Sequence, residues 1–219
     1  MPQIFHPSAN TLSRLSILVA LVAAAGSVTI FYLIMRSPYQ TQVKVIPTQP
    51  IPFPHEHHVR GLGLDCRYCH TSVEESSFAG LPPTHTCMTC HSQIWTKAPM
   101  LEPVRQSLAS KKPIHWQRVH NLPDFVYFNH SIHVQKGVGC ASCHGPVQKM
   151  SLMWKDQPMN MEWCLTCHQK PEAYLREKRD VFNMEYSPSE EEQLSLGKDL
   201  VRRNNVPVDR MSNCSVCHR

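Results

Sequence analysis

The chain of 219 residues carries 22 Lys and Arg against 17 Asp and Glu, a formal net charge of +5, and only 8% of its residues are aromatic. No dense Lys/Arg run with interleaved aromatics is present, so nucleic acid is not an expected partner. So few aromatics promise a thin protein core, which a large bound apolar group would complete.

Residues 1–14 lead into residues 15–35, LSILVALVAAAGSVTIFYLIM, which carry no charge over a length that suits a bilayer core. Small residues at Ala23, Ala24 and Ala25 offer a signal-peptide cleavage site, but the apolar run continues ten residues past Ala25. That is longer than a signal core, so the expectation is a retained single-pass anchor. Arg14 precedes the span, while Arg36 and Lys44 follow it, and flanking charge does not set its orientation. Residues 36–54, with Pro47, Pro50, Pro52 and Pro54, read as a semi-rigid linker that spaces the rest from the membrane.

A repeat follows. FPHEHHVRGLGLDCRYCH from Phe53 aligns with FNHSIHVQKGVGCASCH from Phe128, matching His55 with His130 and His58 with His133. A second cysteine motif follows each, LPPTHTCMTCH ending at His91 and PMNMEWCLTCH ending at His168. The first motifs lie 74 residues apart and the second 77, so residues 55–170 read as a duplicated unit. Between the copies a short helix is predicted from Glu102 to Ser110, ended by Pro113.

Residues 171–219 form a helical insert and a last motif. Ser187-Pro188-Ser189-Glu190 has the form of a capping box with Pro at the first helical position. EEEQLSLGKDLVRRNN then carries acids early and bases late, as a helix dipole prefers, and reads as a solvated strut or docking surface. Strand signals are weak throughout.

All ten cysteines fall into C-x-x-C pairs, each followed by His: Cys66, Cys69 and His70; Cys87, Cys90 and His91; Cys140, Cys143 and His144; Cys164, Cys167 and His168; Cys214, Cys217 and His218. This is the attachment pattern of c-type haem. Two thiols add across the two vinyl groups, and the adjacent histidine ligates the iron. Disulfides would close only tiny loops, and pairing motifs into four-thiolate zinc sites leaves one of five unmatched; neither explains the constant histidine. The expected cofactors are therefore five c-type haems. The expected fold class is mainly α and irregular, a multihaem cytochrome c with a haem-dominated core, a duplicated two-haem unit (haems 1 to 4) and one N-terminal transmembrane helix. Because such cytochromes are assembled outside the cytoplasm, residues 1–14 should be cytoplasmic. The haem head should lie on the periplasmic side of the bacterial inner membrane.

Five six-coordinate irons need five further ligands. His55, His58, His130 and His133 are the first candidates, because histidines three apart share a helical face and each pair can serve two irons. His130 is expected to ligate the iron at Cys140 and Cys143, while His133 reaches a neighbouring one. His120 is the candidate for the fifth haem, with His115 behind it. The methionines of the second unit leave Met153, Met159 and Met161 as alternatives for the fourth haem, where a Met/His set would raise the potential. His57 and His85 lack counterparts in the other unit and read as solvent-facing or as propionate partners.

These elements resemble those of the pentahaem, membrane-anchored cytochrome c subunit of bacterial alternative complex III. The likeness runs over the anchor, FPHEHH, FNHSIH, WQRVHNLPDFVYFNHSIH and the five motifs. It implies a wire subunit that accepts electrons from an iron–sulfur subunit beside polytopic quinol-binding subunits. Those electrons pass to a monohaem cytochrome c or another periplasmic acceptor, in a respiratory or photosynthetic complex. On that reading the chain is part of a quinol:acceptor oxidoreductase and has no substrate site of its own.

The alternative is a self-sufficient single-anchor multihaem quinol dehydrogenase, disfavoured by the 30 stiff residues between Met35 and Cys66. A multihaem reductase of nitrite type would need an open iron position and often a C-x-x-C-K motif, which the sequence lacks.

Overall fold

The computed structural model describes residues 4–218, so residues 1–3 of the expected N-terminal segment, and Arg219, lie outside the described residues. The chain forms two compact units, Met1–Gln42 and Val43–Arg219.

The first unit is dominated by α1 (Ala9–Arg36), 28 residues with none buried. It spans about 42 Å at 1.5 Å per residue, more than the roughly 30 Å of a bilayer core. Its few hydroxyls turn back on the helix: Ser13, Ser27 and Thr29 donate to the carbonyls of Ala9, Ala23 and Ala25. Those three hydroxyls are thereby satisfied within the helix, as lipid requires. An apolar helix with no protein covering it fits a membrane anchor.

The second unit is mostly short helices and irregular chain. Its longer helices are α2 (Thr84–His91), α3 (Glu102–Ser110), α4 (His130–Lys136), α5 (Met161–Gln169) and α6 (Glu190–Arg203). Among the described residues there are only isolated β-bridges, such as Val43 with Lys155 and Val138 with Leu175. The expected α and irregular fold class is what is seen, and α3 has the predicted bounds.

The proline-rich segment is not a free spacer. The Lys44 amide donates to Lys155 O at 2.8 Å, and the Gln49 side chain pairs with both backbone groups of Gln117. Ile51 is buried against Leu101 and Val104, beside Cys87 and Met88 of α2. Residues from Val43 onward are thus built into the head, which removes linker length as an argument about function.

The cap of α6 differs in register from the sequence expectation. Its N-cap is Ser189 rather than Ser187, and Glu192 closes the box, which leaves Pro188 before the helix. This register puts Glu190, Glu191 and Glu192 together in the first turn, where the dipole favours acids. Nor is α6 solvated on every side. The Gln193 side chain donates to Glu172 O and Leu175 O, and Leu200 is buried. A Cβ at Gly197 would collide with the Glu172 carbonyl, so only glycine allows the helix to sit this close.

Few apolar side chains are fully buried. The largest are Met150, Leu175, Val104 and Val181. Phe78, Leu81, Ile94, Trp95, Phe125 and Tyr127 are all exposed, and each lies within about ten residues of a cysteine motif or of a histidine pair. The head therefore has apolar surface for a large partner group that the protein itself does not cover.

Candidate haem-binding sites

Each motif sits on a helical turn, where residues three apart share a face. The first occupies a single turn, Cys66–Cys69, capped by Asp65, whose carboxylate accepts from the Arg67 amide at 2.8 Å. The second lies in α2 and the fourth in α5, where Asn160 accepts from the Trp163 amide. The third and fifth form the turns Cys140–His144 and Cys214–Cys217. All ten thiols are free, and among the described residues no three His, Cys, Asp or Glu cluster to hold a bare metal ion.

The histidines upstream face the motif histidines across a constant gap. Ring centroids are 6.3 Å apart for His58 and His91, for His130 and His144, and for His133 and His168. Two metal–imidazole bonds of about 2 Å plus two half-rings of about 1.1 Å come to about 6.2 Å, so one six-coordinate iron fits each gap. His55 is an electrostatic neighbour of His70 in the corresponding place of the first unit.

Two phenylalanines hold these imidazoles in matched poses. Phe53 stacks on His58 at 4.3 Å and 24° and meets His55 edge-on at 4.9 Å and 87°. Phe128 stacks on His133 at 4.5 Å and 27° and meets His130 at 4.8 Å and 89°. The duplication read from the sequence is therefore a duplication of ring geometry.

Backbone carbonyls set the tautomers. Nδ1–H of His58 donates to Pro54 O, that of His133 to Asn129 O, and that of His130 to Ser77 O, at 2.7 to 2.9 Å. His70 donates likewise to Gly80 O, His168 to Met211 O and His218 to Phe125 O. A carbonyl can only accept, so each of these rings keeps Nε2 as a free lone pair, the arrangement that metal-binding histidines need. His55 and His91 each have a buried Nδ1 without a partner, as does Nε2 of His120.

Burial favours the neutral form of His55, His58, His120, His133 and His144. It lowers the His144 imidazole to about 3, with His120 the next contributor. Burial likewise holds His55 and His120 at about 4. It pushes the Cys140 and Cys143 thiols up to about 11 and about 12. Neutral imidazole is the form that binds iron. Buried thiols consumed by thioether bonds would no longer face the cost of ionising there.

The remaining candidates fall elsewhere. His120 lies edge-on to His144 at 4.3 Å, on the third site rather than near His218. His115, His85 and His57 are exposed, the last stacked on Trp95. Met161 is 67% exposed, while Met153 and Met159 are half-buried. His218 has Phe125 stacked 5.7 Å from it. The sequence reading missed the carbonyl acceptors and the role of the phenylalanines. Only the repeated F-x-H-x-x-H hinted at the latter.

Residues 126–219, which hold the last three motifs, match the family described as cytochrome c7 and related cytochrome c. Over 185 residues the chain is 31% identical to the menaquinone reductase, multihaem cytochrome c subunit, of Nitratidesulfovibrio vulgaris, which covers 78% of this chain and 77% of that protein. Helical turns bearing C-x-x-C-H, histidine pairs spaced for iron and this likeness together place the chain in the family of multihaem cytochrome c subunits.

Proposed function

We propose that the chain is the electron-carrying subunit of a quinone-linked membrane complex and holds five covalent c-type haems. Its own residues do three things: thiols fix each group, paired imidazoles hold each iron, and buried surroundings exclude water. The haems, when bound, supply the one-electron chemistry. The observation that carries this reading is the three histidine pairs at 6.3 Å, which leave those sites no open position for a substrate. The ligand pairs are His55 with His70, His58 with His91, His130 with His144, and His133 with His168. The last pair displaces Met153, Met159 and Met161 from the fourth iron. The fifth site is held by His218, and its sixth ligand is not among the histidines that face a motif.

On this reading the head lies on the periplasmic side, because c-type haem is attached outside the cytoplasm, with an iron–sulfur subunit, polytopic quinone-binding subunits and a monohaem cytochrome c as partners. The likeness to alternative complex III favours electrons arriving from quinol and leaving towards a cytochrome c. The name of the Nitratidesulfovibrio relative supports the reverse flow, into menaquinone, and a bis-histidine relay conducts either way. The complex purified in mild detergent decides between them. A quinol analogue that reduces the haems, followed by reoxidation with cytochrome c, supports quinol oxidation. Haems that only a periplasmic donor reduces, and that a menaquinone analogue reoxidises, support quinone reduction. The isolated chain oxidising quinol unaided would overturn the wire reading in favour of a self-sufficient dehydrogenase.

A further inference from the structure

The two repeat copies grip each other reciprocally. The Ser131 amide, at the start of α4, donates to Ser76 O at 3.1 Å, on the loop that follows the first motif. In the mirror contact the Glu56 amide donates to Met150 O at 3.0 Å, on the loop that follows the third motif. Ser131 and Glu56 are repeat equivalents, as are Ser76 and Met150, so this is an isologous junction about a pseudo-two-fold axis. His130 reinforces it, since both its amide and its Nδ1–H donate to Ser77 O.

Each histidine-bearing segment therefore stands on the first motif of the other unit. Its leading histidine (His55 or His130) belongs to the junction, and its trailing one (His58 or His133) faces the second motif of its own unit, at His91 or His168. The fifth motif joins on the side of the fourth, where the His168 ring donates to Met211 O. Neighbouring thiols follow the same path: Cys87 with Cys69, Cys66 with Cys140, Cys143 with Cys164 and Cys167, and Cys164 with Cys217. Of the ten cysteines only Cys90 and Cys214 are exposed, one in the second motif and one in the fifth.

We infer that the five sites are strung in the spatial order second, first, third, fourth, fifth, so that electrons cross between the two units at the first and third sites and enter and leave the chain at the second and fifth. This rests on the reading of five covalent haems. The path is not the order of attachment along the chain. Its middle is shielded by both units, and its two ends are open to redox partners.

The test uses the full-length holoprotein in detergent. A pyridine haemochromogen assay with intact mass first counts the haems, and a count other than five overturns the functional reading separately. Iron positions from cryo-electron microscopy or anomalous scattering then read the order directly. Adjacent first and third irons, with the second and fifth at the ends, are expected. A second or fifth iron inside the row, or separated first and third irons, overturns the inference. A solution measurement does not depend on an image. The Cys214→Ala/Cys217→Ala variant lacks the terminal group, and charge interaction falls with distance. Its redox titration should shift the midpoint of the fourth site most and leave the second unchanged; a larger shift at the first or second site overturns the order.

Discussion

The segment from Phe53 to Gly63 and the segment from Phe128 to Gly137 each hold two histidines against a phenylalanine with nearly the same ring distances and angles, yet their backbones differ. The first is one residue longer between its phenylalanine and its first cysteine. It absorbs that residue in a π-helical turn, Glu56–Gly61, in which the Leu62 amide bonds to His57 O. The second is the regular helix α4, capped by Asn129 and closed by Gly137 at φ 95°. A π turn takes up an extra residue without displacing what flanks it, which is why such turns survive at functional sites. The comparison teaches that ring geometry is what the duplication retains, while the packing around it has diverged. The second copy is clamped by the chain from Leu175 to Val181: Arg176 N donates to Gly137 O and Cys140 N to Val181 O.

The largest effect should come from breaking the shared geometry. His133→Ala is expected to convert one haem from low to high spin, about one-fifth of the low-spin intensity, read by electron paramagnetic resonance. The haem affected should be that at Cys164 and Cys167, not the nearer one at Cys140 and Cys143. In a Cys164→Ala/Cys167→Ala background the same substitution should then add no high-spin signal. The mirror change, His58→Ala, should act on the site of His91 and not on that of His70. A high-spin signal that persists in the background lacking the fourth site would mean that His133 serves another iron.

A smaller effect separates the two copies. Gly63 and Gly137 both stand three residues before a cysteine and both have positive φ, 70° and 95°. A Cβ at Gly63 would meet nothing within 4 Å, whereas at Gly137 it would collide with the Arg176 carbonyl oxygen. Gly63→Ala should therefore cost only the left-handed strain, about 1 kcal/mol. Gly137→Ala should cost about 3 kcal/mol, because the backbone of Arg176 must also move. Denaturant unfolding of the holoprotein measures both, and equal losses would show that the clamp adds nothing to the second copy.

How much of this was legible in the sequence follows the range of each interaction. C-x-x-C-H is a local covalent requirement, so the ten cysteines and five histidines could be read directly. The correspondence of His55 with His130 and of His58 with His133 was legible because the repeat showed each pair twice. The position of His120 beside His144 was not, since it depends on long-range folding of an irregular segment. Carbonyl acceptors such as Ser77 O and Met211 O leave no side-chain signature at all. The packing of Gln49 on Gln117 was hidden because prolines announce an extended path without saying what it lies against.

The smallest effect concerns α6, which has no counterpart in the first copy and presses Gly197 onto the turn before the clamp. Its start depends on Ser189 and Glu192: the Glu192 amide donates to Ser189 Oγ, and the Ser189 amide and hydroxyl donate to the Glu192 carboxylate. Ser189→Ala should cost about 1 kcal/mol. Those donors, the backbone amide first, hold the Glu192 carboxyl below its ordinary value. A carboxyl lowered by folding contributes stability that is fully present above its unfolded pKa and is lost as pH falls through the folded one. Glu192→Gln should therefore be slightly less stable than the parent near pH 7, and the gap should close below about pH 4. Because α6 supports only the clamped copy, the part of this loss that depends on the clamp should shrink in the Gly137→Ala background. In the Gly63→Ala background it should persist unchanged. Thermal melts of the paired variants give that coupling, and identical coupling to both glycines would place α6 outside the clamp.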